Sequence, residues 1–124
     1  MTLVDTSSWI EQLRRGGDPA VRRRVEALLV SGEAAWCPVV RLELWNGAHG
    51  EHEHRALRSM ENELPLLAID EAVWDRAIAL ARAGRSRGVT IPSTDLMVAA
   101  CALRHEVALE HCDGHFDLIL PTRQ

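Results

Sequence analysis

The sequence predicts an α/β domain with a mainly parallel central sheet. Three observations carry this prediction. Short apolar runs alternate with longer stretches of helical period, the pattern of strand–helix–strand units. No internal repeat, low-complexity tract or long linker divides the chain. At 124 residues, with 47% apolar and 26% charged side chains, it is one ordinary globular domain over 1–124, able to bury a core without disulfides or a structural metal.

Thr2-Leu3-Val4 is a short apolar run and reads as a first strand. Ser8-x-x-Glu11 has the spacing of a capping box and predicts a helix through Arg15, broken by Gly16-Gly17. Asp18 as N-cap with Pro19 behind it opens a second helix, which Gly32 closes. Ala34–Pro38 reads as the second strand and Val39–Ala48 as the helix after it. Glu51–Leu64 is a charge-laced helix stopped by Pro65, and Leu66–Ile69 reads as a third strand. Asp70 caps a long amphipathic helix through Val73, Trp74, Ala77, Ile78 and Leu80-Ala81. Gly84 and Gly88 end it in an Arg-rich loop. Pro92-Ser93-Thr94 introduces a helix over Asp95–His105. Val107-Ala108-Leu109 is the fourth strand, followed by the turn Asp113-Gly114-His115 and a last apolar run, Leu118–Leu120.

The longest apolar run, Leu96–Leu103, is far short of the roughly 18 residues of a membrane span. Asp5 and Glu11 sit where a signal peptide needs basic and then apolar residues. The expectation is a soluble, cytoplasmic chain with no membrane partner. All basic residues are Arg, 14 against 18 acids, and the net charge of −4 argues against a protein that coats nucleic acid. It leaves room for an enzyme that cuts nucleic acid with carboxylate-held metals. Cys37, Cys101 and Cys112 are odd in number and widely spaced, and read as reduced packing residues.

Among the acids, those in costly positions are informative. Asp5 ends the first strand, where open parallel sheets gather their sites; it also suits a helix cap. At about 100° per residue, Glu43 projects between Val39 and Val40, on the apolar face of its helix, where an unpaired carboxylate is expensive. A buried ion pair with Arg41 or a distant Arg is the alternative. Asp95 is the single charge at the start of an apolar helix, where the dipole alone favours it by up to about 1 kcal/mol. Asp113 and Asp117 flank a turn, which favours Asp for local reasons. Asp5, Glu43, Asp95 and Asp113 each follow a strand or sit on the helix behind one, so a parallel sheet brings them to one edge. At an effective dielectric of 20, two carboxylates about 5 Å apart repel by roughly 3 kcal/mol. Protonation or a hard divalent cation offsets that. A set of oxygen ligands favours Mg²⁺ or Mn²⁺ over zinc, and such an ion suits phosphodiester hydrolysis.

Four blocks, Val4-Asp5-Thr6-Ser7-Ser8-Trp9-Ile10, Arg41-Leu42-Glu43-Leu44 with Asn46-Gly47, Pro92-Ser93-Thr94-Asp95-Leu96-Met97-Val98-Ala99-Ala100 and Asp113-Gly114-His115-Phe116, resemble the motifs of PIN-domain ribonucleases. In size and order the chain is most similar to the VapC toxins of bacterial toxin–antitoxin pairs. The resemblance implies a three-layer α/β/α PIN-like fold and a Mg²⁺-dependent endoribonuclease in which Mn²⁺ substitutes. Its metal-holding, catalytic acids fall on Asp5, Glu43, Asp95 and Asp113. Thr6 and Thr94 hold the positions of supporting hydroxyls. The resemblance also implies an RNA substrate, a homodimer, and a cognate VapB-type antitoxin whose C-terminal segment covers the site. One departure stands out: the family's fourth block often reads Thr-x-Asp-x-Asp-Phe, where this chain has His111-Cys112-Asp113-Gly114-His115-Phe116. Asp117 is therefore a competitor for the fourth acid, and His115 a candidate phosphate contact.

Arg82, Arg85 and Arg87 lead toward Asp95. They read either as cations at a helix C-terminus or as RNA contacts. Arg14-Arg15 and Arg22-Arg23-Arg24 read as solvated faces or antitoxin contacts. His49, His52 and His54 lack the spacing of a zinc site and read as a solvated helix start. Trp36 and Trp74 fit core positions, and Trp9 and Trp45 adjoin motif acids where a partner helix docks. Two other readings compete: a PIN nuclease of RNA processing outside any toxin pair, and a catalytically inactive PIN module used for binding.

Overall fold

A computed structural model describes residues 1–120 of the chain. Its elements are β1 (Thr2–Val4), α1 (Thr6–Leu13), α2 (Pro19–Val30), β2 (Ala34–Ala35), α3 (Pro38–Gly47), α4 (Gly50–Glu63), α5 (Glu71–Ser86), α6 (Ser93–Arg104) and β3 (Ala108–Glu110), closed by a 3₁₀ turn at Gly114–Leu118. The three strands are parallel and ordered β2-β1-β3. The chain steps one way from β1 to β2, then back across β1 to β3. Parallel crossovers are right-handed as a rule, and two of them on opposite sides of the first strand put helices on both faces, the three-layer arrangement that the resemblance implies.

That order makes β1 the central strand, and Leu3 and Val4 are fully buried in it. The α6 helix supplies the other half of the core: Val98, Ala99, Ala100 and Cys101 are inaccessible to solvent, and their small side chains let the helix lie close to its neighbours. Trp36, Leu57, Val73 and Phe116 fill the periphery.

Three expectations need correction. First, α1 begins at Thr6, two residues before the Ser8 capping box. Asp5 is the N-cap, and Ser8 is a buried residue within the helix. Glu11 turns instead to Arg14 and to the Asp18 N–H. Past the end of α1 at Leu13, the chain folds back so that a Cβ on Gly17 would meet the Glu11 carbonyl oxygen at 1.8 Å, an approach only glycine allows. Second, Leu66–Ile69 forms only a bridge between Leu66 and Trp36. The Leu67 N–H reaches the Trp36 carbonyl, but the Ala68 carbonyl faces the Cys101 thiol and the His105 ring, so no ladder propagates. Third, Trp74 is not a core residue: it is 56% exposed on α5, one turn from the similarly exposed Ile78.

Candidate active site

Asp5 lies at the C-terminal end of β1, where the strand order reverses and neighbouring connections part to leave a crevice. The Asp5 N–H donates to the Glu110 carbonyl at 2.9 Å, which extends the sheet by one bond. Its side chain is buried, and Oδ2 accepts from the Ser7 N–H at 3.0 Å and the Ser7 hydroxyl at 2.6 Å. Burial pushes the Asp5 carboxyl up despite these bonds. Glu43 reaches in from α3, and its Oε1 accepts from the Thr6 hydroxyl at 2.8 Å. Its carboxyl is also raised, first by burial and then by Asp5 and Asp113.

Asp95 stands in the first turn of α6, its side chain 14% exposed. Burial raises it to about 6, helped by the charges of Asp113, Asp5 and Glu43 and opposed by His115. Asp113 caps the 3₁₀ turn, accepting from the His115 N–H at 2.9 Å. The four carboxylates singled out in the sequence thus converge closely enough to repel one another. His115 joins them: its Nδ1 lies 2.9 Å from Asp113 Oδ1 and 3.2 Å from Asp95 Oδ2. Ligand atoms of Asp95, Asp113 and His115 all fall within 4.8 Å of one another. An imidazole nitrogen thus stands beside the carboxylate oxygens, a neighbour that the acids alone do not predict.

Two hydrogen-bonded supports were not legible in the sequence. Ser7 links Asp5 to the segment after β3: its hydroxyl accepts from the Cys112 N–H at 3.1 Å, and its carbonyl lies 3.2 Å from the Cys112 thiol. Once Asp5 is recognised as the cap, the Ser7 N–H is the donor that a capping side chain takes. Behind it, Glu110 is buried at the end of β3. It accepts from Arg24 Nε at 2.8 Å, Arg24 Nη2 at 3.2 Å and the Ser8 hydroxyl at 2.7 Å. Burial alone would raise the Glu110 carboxyl, but these bonds and the guanidinium charge hold it below its usual value. Arg24 is thus the partner of a buried acid, while its own side chain stays 49% exposed on the solvated face of α2.

The sequence pattern of the PIN domain matches residues 2–119. Ribonuclease VapC11 of Mycobacterium tuberculosis is 39% identical over 127 aligned positions, covering 96% of this chain and 91% of that protein. The chain belongs to the PIN-domain family, among the VapC ribonucleases. Ribonuclease VapC21 of the same species is 37% identical, over 86% of this chain and 80% of its own. The fold also matches VapBC2 from Rickettsia felis, solved bound to a DNA fragment from its promoter. There the TM-score is 0.77 at 14% identity, over 97% of this chain and 92% of that one.

PIN-domain nucleases are generally dependent on a divalent metal. The VapC-like site here fits one: three carboxyls are held above their usual values by burial and mutual repulsion, a cost that a cation in their midst removes. Several other residues expected near this PIN-domain site are exposed. Thr94 is exposed at the start of α6. Asp117 is 77% exposed and faces His111 Nε2 at 3.9 Å. Arg82 and Arg85 are exposed on α5, and Arg87 donates to the Leu118 carbonyl at 2.9 Å. His54 stacks on Trp45, whose indole N–H donates to Glu61. Trp9 is buried and offers no docking face, whatever Trp45 does. Among the described residues, no helix is long and apolar enough to cross a membrane.

Proposed function

We propose that this chain is the toxin of a type II toxin–antitoxin pair, a cytoplasmic endoribonuclease that hydrolyses RNA phosphodiester bonds and is neutralised by a cognate VapB-type antitoxin. The observation that carries the reading is the convergence of Asp5, Glu43, Asp95 and Asp113 at the switch point of the sheet, in a chain related over nearly its whole length to VapC ribonucleases. The structural neighbour solved as a toxin–antitoxin assembly supports the partner. The whole chain acts as one PIN domain, and it pairs with a second copy as a homodimer.

The four acids hold Mg²⁺, with Mn²⁺ able to substitute. A divalent cation held by these four acids would supply a water of lowered pKa and offset charge on the phosphodiester. The chain's own residues prepare the place. Ser7 fixes Asp5 through two hydrogen bonds, and Thr6 fixes the Glu43 oxygen it donates to. Asp95, its carboxyl raised to about 6 by burial and by the charges of Asp113, Asp5 and Glu43, is where the crowding of the acids is felt most when no cation is bound. Asp113 serves as the fourth acid, ahead of Asp117, because it adjoins Asp95 through His115. Arg82, Arg85 and Arg87 flank the approach and contact RNA phosphates; Thr94 supports Asp95 from the neighbouring position.

The test is RNA cleavage by antitoxin-free protein across a Mg²⁺ and Mn²⁺ titration, with Asp95→Asn alongside. Cutting that both EDTA and Asp95→Asn abolish is the expected result. Equal cutting by wild type and variant, or none by folded, metal-loaded protein, overturns the reading.

A further inference from the structure

The position that the family often fills with a second acid holds His115 in this chain. We propose that His115 is itself a ligand of the divalent ion, through Nδ1, and that this nitrogen tilts the site toward Mn²⁺ and away from Mg²⁺. The inference rests on the metal-dependent reading above and deepens it.

Three features place the imidazole. Its Nδ1 is within 3.2 Å of one oxygen from each of two acids carried by different elements, Asp95 on α6 and Asp113 at the cap of the 3₁₀ turn. The ligand atoms of all three residues lie within 4.8 Å of one another, close enough for one ion to touch each. The residue is also anchored: its N–H donates to Asp113, the adjacent Phe116 is fully buried, and Arg87 ties down the end of the turn at the Leu118 carbonyl. A ring held this way loses little freedom on binding a cation. A ligand role for Nδ1 would call for the tautomer with its proton on Nε2.

The chemistry of the donor then sets the preference. Mg²⁺ demands oxygen donors in near-ideal octahedral geometry and gives up water reluctantly. Imidazole suits transition ions better than Mg²⁺, and of the two candidates only Mn²⁺ is a transition ion, so a nitrogen among the carboxylates moves the balance toward it. His111 is the other imidazole nearby. Its ring packs against Phe116 with centroids 4.8 Å apart, and its Nε2 faces Asp117, which makes it the natural control.

The experiment uses full-length protein freed of metal and loaded with Mn²⁺, compared with His115→Asp and His111→Gln. Pulsed electron paramagnetic resonance reports nitrogen bound to Mn²⁺. The free Mn²⁺ signal, with Mg²⁺ as competitor, gives the affinity ratio. Nitrogen modulation is expected in wild type and His111→Gln and absent in His115→Asp, where the preference for Mn²⁺ falls roughly tenfold or more. Circular dichroism establishes that each variant is folded. Mn²⁺ bound without nitrogen modulation, or modulation that persists in His115→Asp, overturns the ligand assignment. An unchanged affinity ratio overturns the selectivity. Failure of wild type to bind Mn²⁺ at all overturns the metal-dependent reading itself, which keeps the two failures distinct.

Discussion

Asp95 shows at a single residue how function is set against stability. Its carboxyl, near 3.8 in an unfolded chain, is pushed up to about 6 in the fold. Between those values the folded protein keeps a proton that the unfolded chain has released. The stability of metal-free protein therefore falls as pH rises from about 4 to about 6, by up to about 3 kcal/mol at full ionisation. Asp95→Asn, unfolded by urea with EDTA present, is expected to be more stable than wild type by roughly 1–2 kcal/mol at pH 7.5. At pH 4 the difference disappears; a variant weaker at pH 7.5 contradicts the account. Glu110 has the opposite sign. Its carboxyl is held down by Arg24 and Ser8, so its contribution is present above about 4.5, the unfolded value, and is lost as pH falls through the lower folded one. Removing the half-exposed Arg24 leaves a buried charge with less compensation, and Arg24→Ala is expected to cost about 2 kcal/mol at neutral pH in the same measurement. In acid the cost shrinks. Asp5, Glu43 and Asp95 were legible because each ends or breaks an apolar pattern, and Asp113 because it follows the last strand. Their supports were not, because Arg24 meets Glu110 across 86 residues and Ser7 meets Cys112 across 105, separations on which local periodicity is silent.

At the level of elements, the capping and breaking residues carried most of the information. Asp18-Pro19, Asp70 and Gly32 sit at the ends they predict. Periodicity was less discriminating for α5, where the wheel that assigns Val73 and Ala77 to the core also sweeps in Trp74 and Ile78, because an apolar stripe wider than the buried face looks the same in sequence. The tryptophans test this directly. Trp36→Ala removes a fully buried indole and is expected to cost about 3–5 kcal/mol. Trp74→Ala, on the exposed stripe, is expected to stay within about 0.5 kcal/mol of wild type for the isolated chain in a denaturant titration. The failed strand at Leu66–Ile69 has a different cause. Its apolar composition suits a strand, but tertiary partners claim the carbonyl at Ala68 that a ladder needs.

Across the whole molecule, the site draws on β1, α3, α6 and the segment after β3, so a cation bound there ties together parts distant in sequence. Binding confined to the folded state stabilises by linkage, about 2.7 kcal/mol at a hundredfold excess over the dissociation constant. For a domain of this size that raises the melting temperature by on the order of 10 °C. A thermal melt with Mg²⁺ or Mn²⁺ against EDTA measures it, and Asp95→Asn should lose most of the rise. The same dispersal has a meaning for synthesis. The middle strand of the sheet, β1, leaves the ribosome before either neighbour, and its partner β3 follows only after α1–α6. At ~5–20 residues per second, roughly 5–20 s separate Asp5 from Asp113. Throughout that interval the nascent chain lacks Asp113 and one side of its sheet, so translation order alone delays activity until β3 and the turn behind it have emerged.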